Sequence, residues 1–294
     1  MLNPVKRHVR DMAKALLPAH MQRSFPYSLF GQQVGGYLEE RTKQRLFGGL
    51  APLVPRVEDM FDGPRSLKQF KEDGERFLRI YQEMCRLGSN EKMLDVGCGI
   101  GRKTIPLTQY FGSDAVYEGM DINKIGVEWC RAKISAEFPN FHFQQIDVHN
   151  KFYNPEGKVS AAQYKFPFAS DSFDFVMLGS VFTHMPPADA ANYLSEVHRV
   201  LRTGGRCLIT YFLLNEESLG GLAKGESALD FKHQIGNYRI VLPEMPEFAI
   251  AYDEDWVPET YPAIGLKITR LDYGSWCGRT GSTSYQDLVL ATKE

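Results

Sequence analysis

The stretch MLDVGCGIGRKTIPL, Met93 to Leu107, carries an apolar run and then Gly97, Gly99 and Gly101 at every second position, ahead of a stretch patterned as a helix. Glycine there permits a tight turn and lets a ligand approach the backbone closely. A helix N-terminus after the turn offers free N–H groups. Asp121 ends the next strand-like run, 121 − 101 = 20 residues after the last glycine. A carboxylate there can accept hydrogen bonds from both ribose hydroxyls of an adenosine-containing ligand. Asp147 and Val148 close the third run. The aspartate can hold an adenine amino group while a backbone N–H meets a ring nitrogen.

Two ligand classes compete for such a turn. A dinucleotide site has the spacing G-x-G-x-x-G and rests a pyrophosphate on the helix N-terminus. Here the spacing is G-x-G-x-G, preceded by Asp95. An acidic residue at the turn repels phosphate and suits a cationic amino group. S-adenosylmethionine (SAM) carries an amino acid and a sulfonium and no phosphate, so these residues favour SAM over NAD. His184, in SVFTHMPP after the fourth strand-like run, is the candidate base, since a neutral imidazole can take the proton of an alcohol. The alternative is that it only walls the pocket. His233 is a second candidate base, and His198 falls on a regular helix and reads as solvated. No tight His/Asp/Glu cluster suggests a metal.

These residues must be positioned by alternating elements. Strand-like runs are Lys92–Val96, Ala115–Met120, Phe141–Ile146, Phe173–Leu178 and Arg206–Phe212. Helical spacing runs from Leu67 to Met84, with Ser66 and Gln69 placed as a capping box, and again over Asn123–Phe138 and Ala188–Arg202, with Gly204 expected to cap the last. Such alternation predicts a doubly wound α/β fold, a mostly parallel sheet with helices on both faces. A further helix near Asp253–Ile264 and two closing strands, near Leu266–Leu271 and Ser284–Ala291, end the chain. Two polar segments break the rhythm, at 149–168 and 214–250. Ligands in open α/β sheets bind outside the carboxyl ends of the strands, so these inserts are expected to roof the acceptor site. Residues 1–65, rich in Gly and Pro, read as a helical N-terminal extension to a domain spanning 66–294. The extension is a candidate surface for packing on the body or for homo-oligomer formation.

The 294 residues are 43% hydrophobic, enough for one large domain with additions. Lys and Arg number 34 against 36 Asp and Glu, and no basic block stands out, which argues against a nucleic-acid partner. The five cysteines are scattered and form no C-x-x-C pair, which suggests reduced, buried thiols and a cytoplasmic protein. No apolar run approaches the roughly 18–20 residues a membrane span needs.

The successive stretches LDVGCGIG, GMDIN, QQIDV, FPFASDSFDFVMLGSVFTHM and EVHRVLRTGGRCLIT resemble, in order, the motifs of the class I SAM-dependent methyltransferases. The resemblance runs over about residues 92–212. The tail YGSWCGRTGSTSYQDLVLATKE and the insert YNPEGKVSAAQY look like a bacterial subgroup associated with glycan and secondary metabolism. The resemblance implies a seven-stranded sheet whose last strand is antiparallel. It implies Asp95, Gly97 and Gly99 around the methionine end of SAM, Asp121 on the ribose with Ile122 against the adenine, Asp147 and Val148 at the adenine edge, and Gly179 and Ser180 beside the amino acid and sulfonium. The expected reaction is O-methylation of a small polar, sugar-containing or secondary metabolite. The alternatives are N- or C-methylation of a small molecule, and SAM binding without transfer.

Overall fold

The structure, a computed structural model, describes residues 53–56, 59–60, 66–151 and 153–294. The N-terminal extension and its expected role in oligomer formation lie outside them, apart from the short stretches just named. Helix α1, Leu67–Arg79, opens on Ser66, whose hydroxyl accepts the Gln69 N–H at 3.1 Å. The chain continues through one π-helical turn, Ile80–Met84. Strands β1 (Lys92–Val96), β2 (Val116–Asp121), β3 (Phe141–Gln145), β4 (Phe173–Leu178) and β5 (Leu201–Tyr211) follow, with helix α2 (Lys124–Cys130) before β3 and helix α3 (Pro187–Val200) before β5. Beyond β5 come strand β6 (Leu213–Leu214), helix α4 (Glu216–Lys224), strands β7 (His233–Ile235), β8 (Tyr238–Ile240) and β9 (Ile250–Asp253), helix α5 (Trp256–Ile264), and strands β10 (Leu266–Asp272) and β11 (Asp287–Lys293).

Seven strands form one sheet in the order β10-β11-β5-β4-β1-β2-β3. Strand β11 runs antiparallel to both of its neighbours, and the pairs from β5 to β3 are all parallel. The period-two alternation of the strands decides which face each side chain joins. Leu94, Val96, Val176, Leu178, Cys207, Ile209, Val289 and Ala291 pack with α3 and α5. Met93, Phe175, Met177, Leu208, Leu288 and Leu290 pack on the opposite face with the end of α1 and with α2. A smaller sheet, β6-β9-β8-β7, is built by the 214–250 excursion together with β9. All five cysteines are free and buried.

Three local expectations differ from the fold. The segment after the glycine turn is a 3₁₀ helix of five residues, Ile105–Gln109, with Pro106 at its start, and no α-helix follows β1. Proline there supplies no N–H for an α-helical ladder. Helix α2 is seven residues long and passes into a π turn at Arg131–Ser135 instead of running evenly to Phe138. Gly204 does not cap α3. That helix ends at Val200, and Gly204 (φ 77°) lies in an irregular stretch of β5 where Leu201 pairs with Phe173 and Arg206 with Phe175. Five chain steps there span two on the partner strand, and only a left-handed residue lets the chain double over so tightly.

Candidate active site

The carboxyl ends of β1, β2 and β4 open on a cavity of about 920 Å³. Its floor is the glycine turn. Gly97, Gly99 and Gly101 all have left-handed backbones, with φ of 80°, 58° and 76°. A Cβ on Gly97 would stand 2.5 Å from Val181 Cγ2. The turn is tied to β2 by the Gly97 and Cys98 N–H groups, which both reach the Met120 carbonyl, at 2.8 and 3.2 Å. Asp121 makes the second tie. Its Oδ2 accepts the Gly99 N–H at 2.7 Å and its Oδ1 accepts the Asn123 N–H at 2.7 Å.

Gly97, Gly99, Asp121, Ile122, Val148, Gly179, Ser180 and His184 all line this cavity. The fold therefore brings together eight of the ten residues singled out in the sequence. The other two lie elsewhere. Asp95 is 1% exposed, and its Oδ2 accepts the Tyr117 hydroxyl at 2.7 Å, which is itself 2.7 Å from Thr104 Oγ1. That chain lies off the cavity wall. Asp147 is exposed, and its carboxylate accepts the Lys158 N–H at 3.3 Å while its carbonyl accepts the Val159 N–H at 3.0 Å. The polar insert thus engages Asp147, which is not among the residues that line the cavity.

His184 ends a 3₁₀ turn, Phe182–His184, just after β4. Its Nδ1 lies 2.9 Å from the Glu247 backbone carbonyl. A carbonyl can only accept, so Nδ1 carries the proton and Nε2 keeps its lone pair. Nε2 faces the Tyr153 hydroxyl at 3.5 Å, and the two rings meet edge to face with centroids 5.1 Å apart. Burial lowers the imidazole's pKa below its ordinary 6.5, against an opposing pull from the Glu247 and Phe248 backbone. The ring is neutral at pH 7. Both inserts hold it in place. Tyr153 donates its backbone N–H to Asn150 Oδ1 at 2.8 Å, and the Glu247 carboxylate accepts the Lys151 N–H. His233 is exposed on β7, away from the cavity, and does not join this group.

Several wall residues carry no signal in the sequence. Gln69, Glu72, Asp73 and Arg76 share one face of α1, and Asp73 pairs with Arg76 at 3.0 Å and with Arg102 at 3.2 Å. Lys103 is buried, with Nζ 3.0 Å from the Gly179 carbonyl and 5.2 Å from the Phe77 ring centroid. Its place two residues after Gly101 is the one available hint. Asp189 and Tyr193 enter from α3, and burial raises the Asp189 carboxyl above its usual range. Of the aromatics in the two inserts, Tyr153 lines the cavity. Phe182, Tyr211 and Tyr252 are core, and Phe212, Phe231 and Trp276 form a separate cluster. No group of three or more metal-ligating side chains occurs among the described residues.

A parallel-sheet switch point, a left-handed glycine cradle and an acidic residue at the end of β2 form a nucleoside-binding site of the doubly wound α/β class, and the family match makes it a class I SAM-dependent methyltransferase domain. The chain belongs to the methyltransferase domain family, whose model matches residues 87–255. It is similar to the methyltransferase GfsG of Streptomyces halstedii, 30% identical over 62% of this chain and 59% of that one. It is also similar to a demethylmenaquinone methyltransferase of Bacillus velezensis, 26% identical over 59% of this chain and 66% of that one. The chain thus spans about three-fifths to two-thirds of the length of these curated relatives. The PH0226 protein of Pyrococcus horikoshii shares the fold, with a TM-score of 0.54 over 77% of this chain and 92% of that one, at 15% identity. SAM is the domain's cofactor. No helix among the described residues is long and apolar enough to cross a membrane.

Proposed function

We propose that this protein methylates a hydroxyl group of a small polar, sugar-containing or secondary metabolite, with His184 as the general base. The cavity fits an adenosyl amino acid. Asp121, Ile122, Val148 and the glycine turn all line it, which supports a reading in which Asp121 accepts the ribose hydroxyls, Ile122 and Val148 flank the adenine and the turn receives the amino-acid end. When bound, SAM supplies an electrophilic methyl group on a sulfonium. The remaining work falls to the chain. In-line displacement needs the acceptor oxygen, the methyl carbon and the sulfur collinear, so the walls from α1, the 149–168 insert and the 214–250 excursion must hold the acceptor in place. His184 Nε2 would take the proton that the acceptor hydroxyl loses on transfer.

The observation that carries this reading is the His184 tautomer. Glu247 holds the Nδ1 proton, which leaves Nε2 unprotonated beside the Tyr153 hydroxyl, His184 and Tyr153 both being residues of the cavity wall. A base of this kind supplies about 10²–10⁴ in rate. Titration with SAM and S-adenosylhomocysteine (SAH), then methyl transfer to a panel of phenols, catechols, sugars and quinols, tests it. His184→Gln keeps a hydrogen-bonding group and removes the base, so kcat is expected to fall while SAH affinity holds. A glutamine variant with unchanged kcat would remove the base from the mechanism. Methyl transfer to carbon in place of oxygen is the second reading, since the relatives, a demethylmenaquinone methyltransferase among them, differ in acceptor. The position of labelled methyl in the product, on oxygen or on carbon, separates the two.

A further inference from the structure

The segment between β10 and β11, YGSWCGRTGSTSYQ, has no part in the chemistry above, yet it reaches the same cavity. It folds around the buried carboxylate of Asp287. Oδ2 accepts the Leu213 N–H at 2.7 Å and Trp276 Nε1–H at 2.8 Å, and Oδ1 accepts the Gly274 N–H at 2.7 Å, with Arg279 Nη1 at 3.4 Å. The loop so formed sets Ser284, Tyr285 and Gln286 against the cavity wall.

Gln286 then does something specific. Its Oε1 accepts the Thr210 hydroxyl at 2.6 Å and the Ser180 hydroxyl at 2.9 Å. Thr210 Oγ1 already receives the Ser180 N–H at 2.7 Å, so its own proton is left for Gln286. Ser180 is therefore held at both its backbone and its side chain. It needs holding. Its φ is 65°, one of three left-handed non-glycine residues among those described, and the one that lines the cavity. An L-residue with a Cβ enters that region at a cost, and such residues persist where their surroundings over-determine them. The neighbouring Gly179 carbonyl is fixed from the other side by Lys103.

We propose that Gln286 is a positioning residue for the cofactor: by holding Ser180 in its left-handed turn it shapes the end of β4, and through it the loop folded on Asp287 sets the affinity for SAM and SAH. This rests on the reading that the cavity at the glycine turn holds the cofactor. The probe is SAH, titrated calorimetrically against wild type, Gln286→Ala, Gln286→Glu, Ser180→Gly and the double variant Ser180→Gly with Gln286→Ala, each with a thermal melt. Gln286→Ala is expected to weaken SAH binding about 5- to 30-fold, the ratio that corresponds to an unsupported left-handed residue. Gln286→Glu still accepts both hydroxyls and is expected to stay within about threefold of wild type. Glycine adopts φ 65° freely, so the double variant is expected to bind about as well as Ser180→Gly alone. Wild-type affinity in Gln286→Ala would overturn the proposal. So would a double variant as weak as Gln286→Ala, which would make the amide a direct contact and not a brace. If Gln286→Ala does not fold, Ser180→Ala removes the same hydroxyl bond while keeping the Cβ, and is expected to show the same loss; unchanged SAH affinity there would overturn the proposal equally. Failure of wild type to bind SAH would instead sink the cofactor reading, and this inference with it.

Discussion

Replacing Asp121 by alanine tests two roles that the structure gives one carboxylate. Asp121 is 8% exposed, and each of its oxygens accepts a backbone N–H at 2.7 Å, from Gly99 in the glycine turn and from Asn123 at the start of α2. Hydrogen bonds to a charged acceptor contribute about 1.5–3 kcal/mol each, so losing both could cost twice that. The freed Gly99 N–H borders the cavity and the Asn123 N–H is half-buried, so both can be rehydrated. We therefore expect a loss of stability nearer 1.5–3 kcal/mol in total. The same carboxylate, on the cavity wall at the end of β2, is the proposed acceptor of hydrogen bonds from the ribose hydroxyls. Their loss is expected to weaken SAH binding by a further 1.5–3 kcal/mol or so, about 10- to 150-fold in Kd. Thermal unfolding without ligand reads the first effect, and isothermal titration with SAH at 25 °C reads the second. Asp121→Asn sharpens the test, because one oxygen can serve Gly99 or Asn123 and the amide NH₂ then faces the other donor. A ligand-free melting temperature equal to wild type would refute the bracing of the turn. An unchanged Kd for SAH would refute the ribose contact, whatever the melt shows.

Gly97→Ala places a Cβ on a residue with φ 80° and within 2.5 Å of Val181 Cγ2, so a stability loss of about 2 kcal/mol and weaker SAH binding are expected, and an unchanged urea midpoint would contradict the close packing. Asp287→Asn is expected to destabilise the fold by about 2–4 kcal/mol, since an amide NH₂ must face donors that now meet an oxygen, and denaturant unfolding at pH 7 checks it. Burial pushes the Asp287 carboxyl from 3.8 up to about 6, so the folded state holds its proton more tightly than the unfolded chain does. The resulting contribution is present at low pH and is lost as pH rises towards 6; the Asn variant lacks that slope. For His184 the sign reverses, because burial lowers its pKa. Stability falls as pH drops below about 6.5 and the unfolded imidazole charges first, while the limb of the kcat/KM profile that reports the base lies below 6.5. A limb above 6.5 would assign the base elsewhere.

What the sequence made legible was local. Strands β1 and β4 occupy the residues their apolar runs predict, because a buried parallel strand bounded by turn residues is written into adjacent positions. The glycine turn and Asp121 were legible for the same reason. The helix after the turn was not, because Pro106 outweighed an apolar spacing that suited an α-helix. Asp147 read as an adenine partner from its place at the end of β3, but the insert that follows supplies its own N–H groups to it. The bonds that complete the site join distant positions. Lys103 meets Gly179 across 76 residues, and Gln286 meets Ser180 across 106. No periodicity or spacing encodes such pairs; they exist only once β4, β5 and β11 lie side by side.

The short 3₁₀ segment after the glycine turn also bears on which ligand the turn selects. A pyrophosphate site draws on a full helix, whose aligned peptide dipoles place positive charge at its N-terminus. Five residues of 3₁₀ helix give a weak dipole, and Pro106 removes one of its N–H groups. The turn's own side is acidic, with Asp121 at the wall and Asp95 close behind it. Two of the cations nearby, Arg76 and Arg102, are both claimed by Asp73. A phosphate brought here would meet the carboxylates of Glu72, Asp121 and Asp189 against the buried ammonium of Lys103, and a sulfonium or an ammonium would meet the favourable side of that balance. The departure from the expected helix therefore strengthens the choice of SAM over a dinucleotide. The preference comes from how charge is distributed around left-handed glycines, which a dinucleotide turn shares, and not from the glycines themselves.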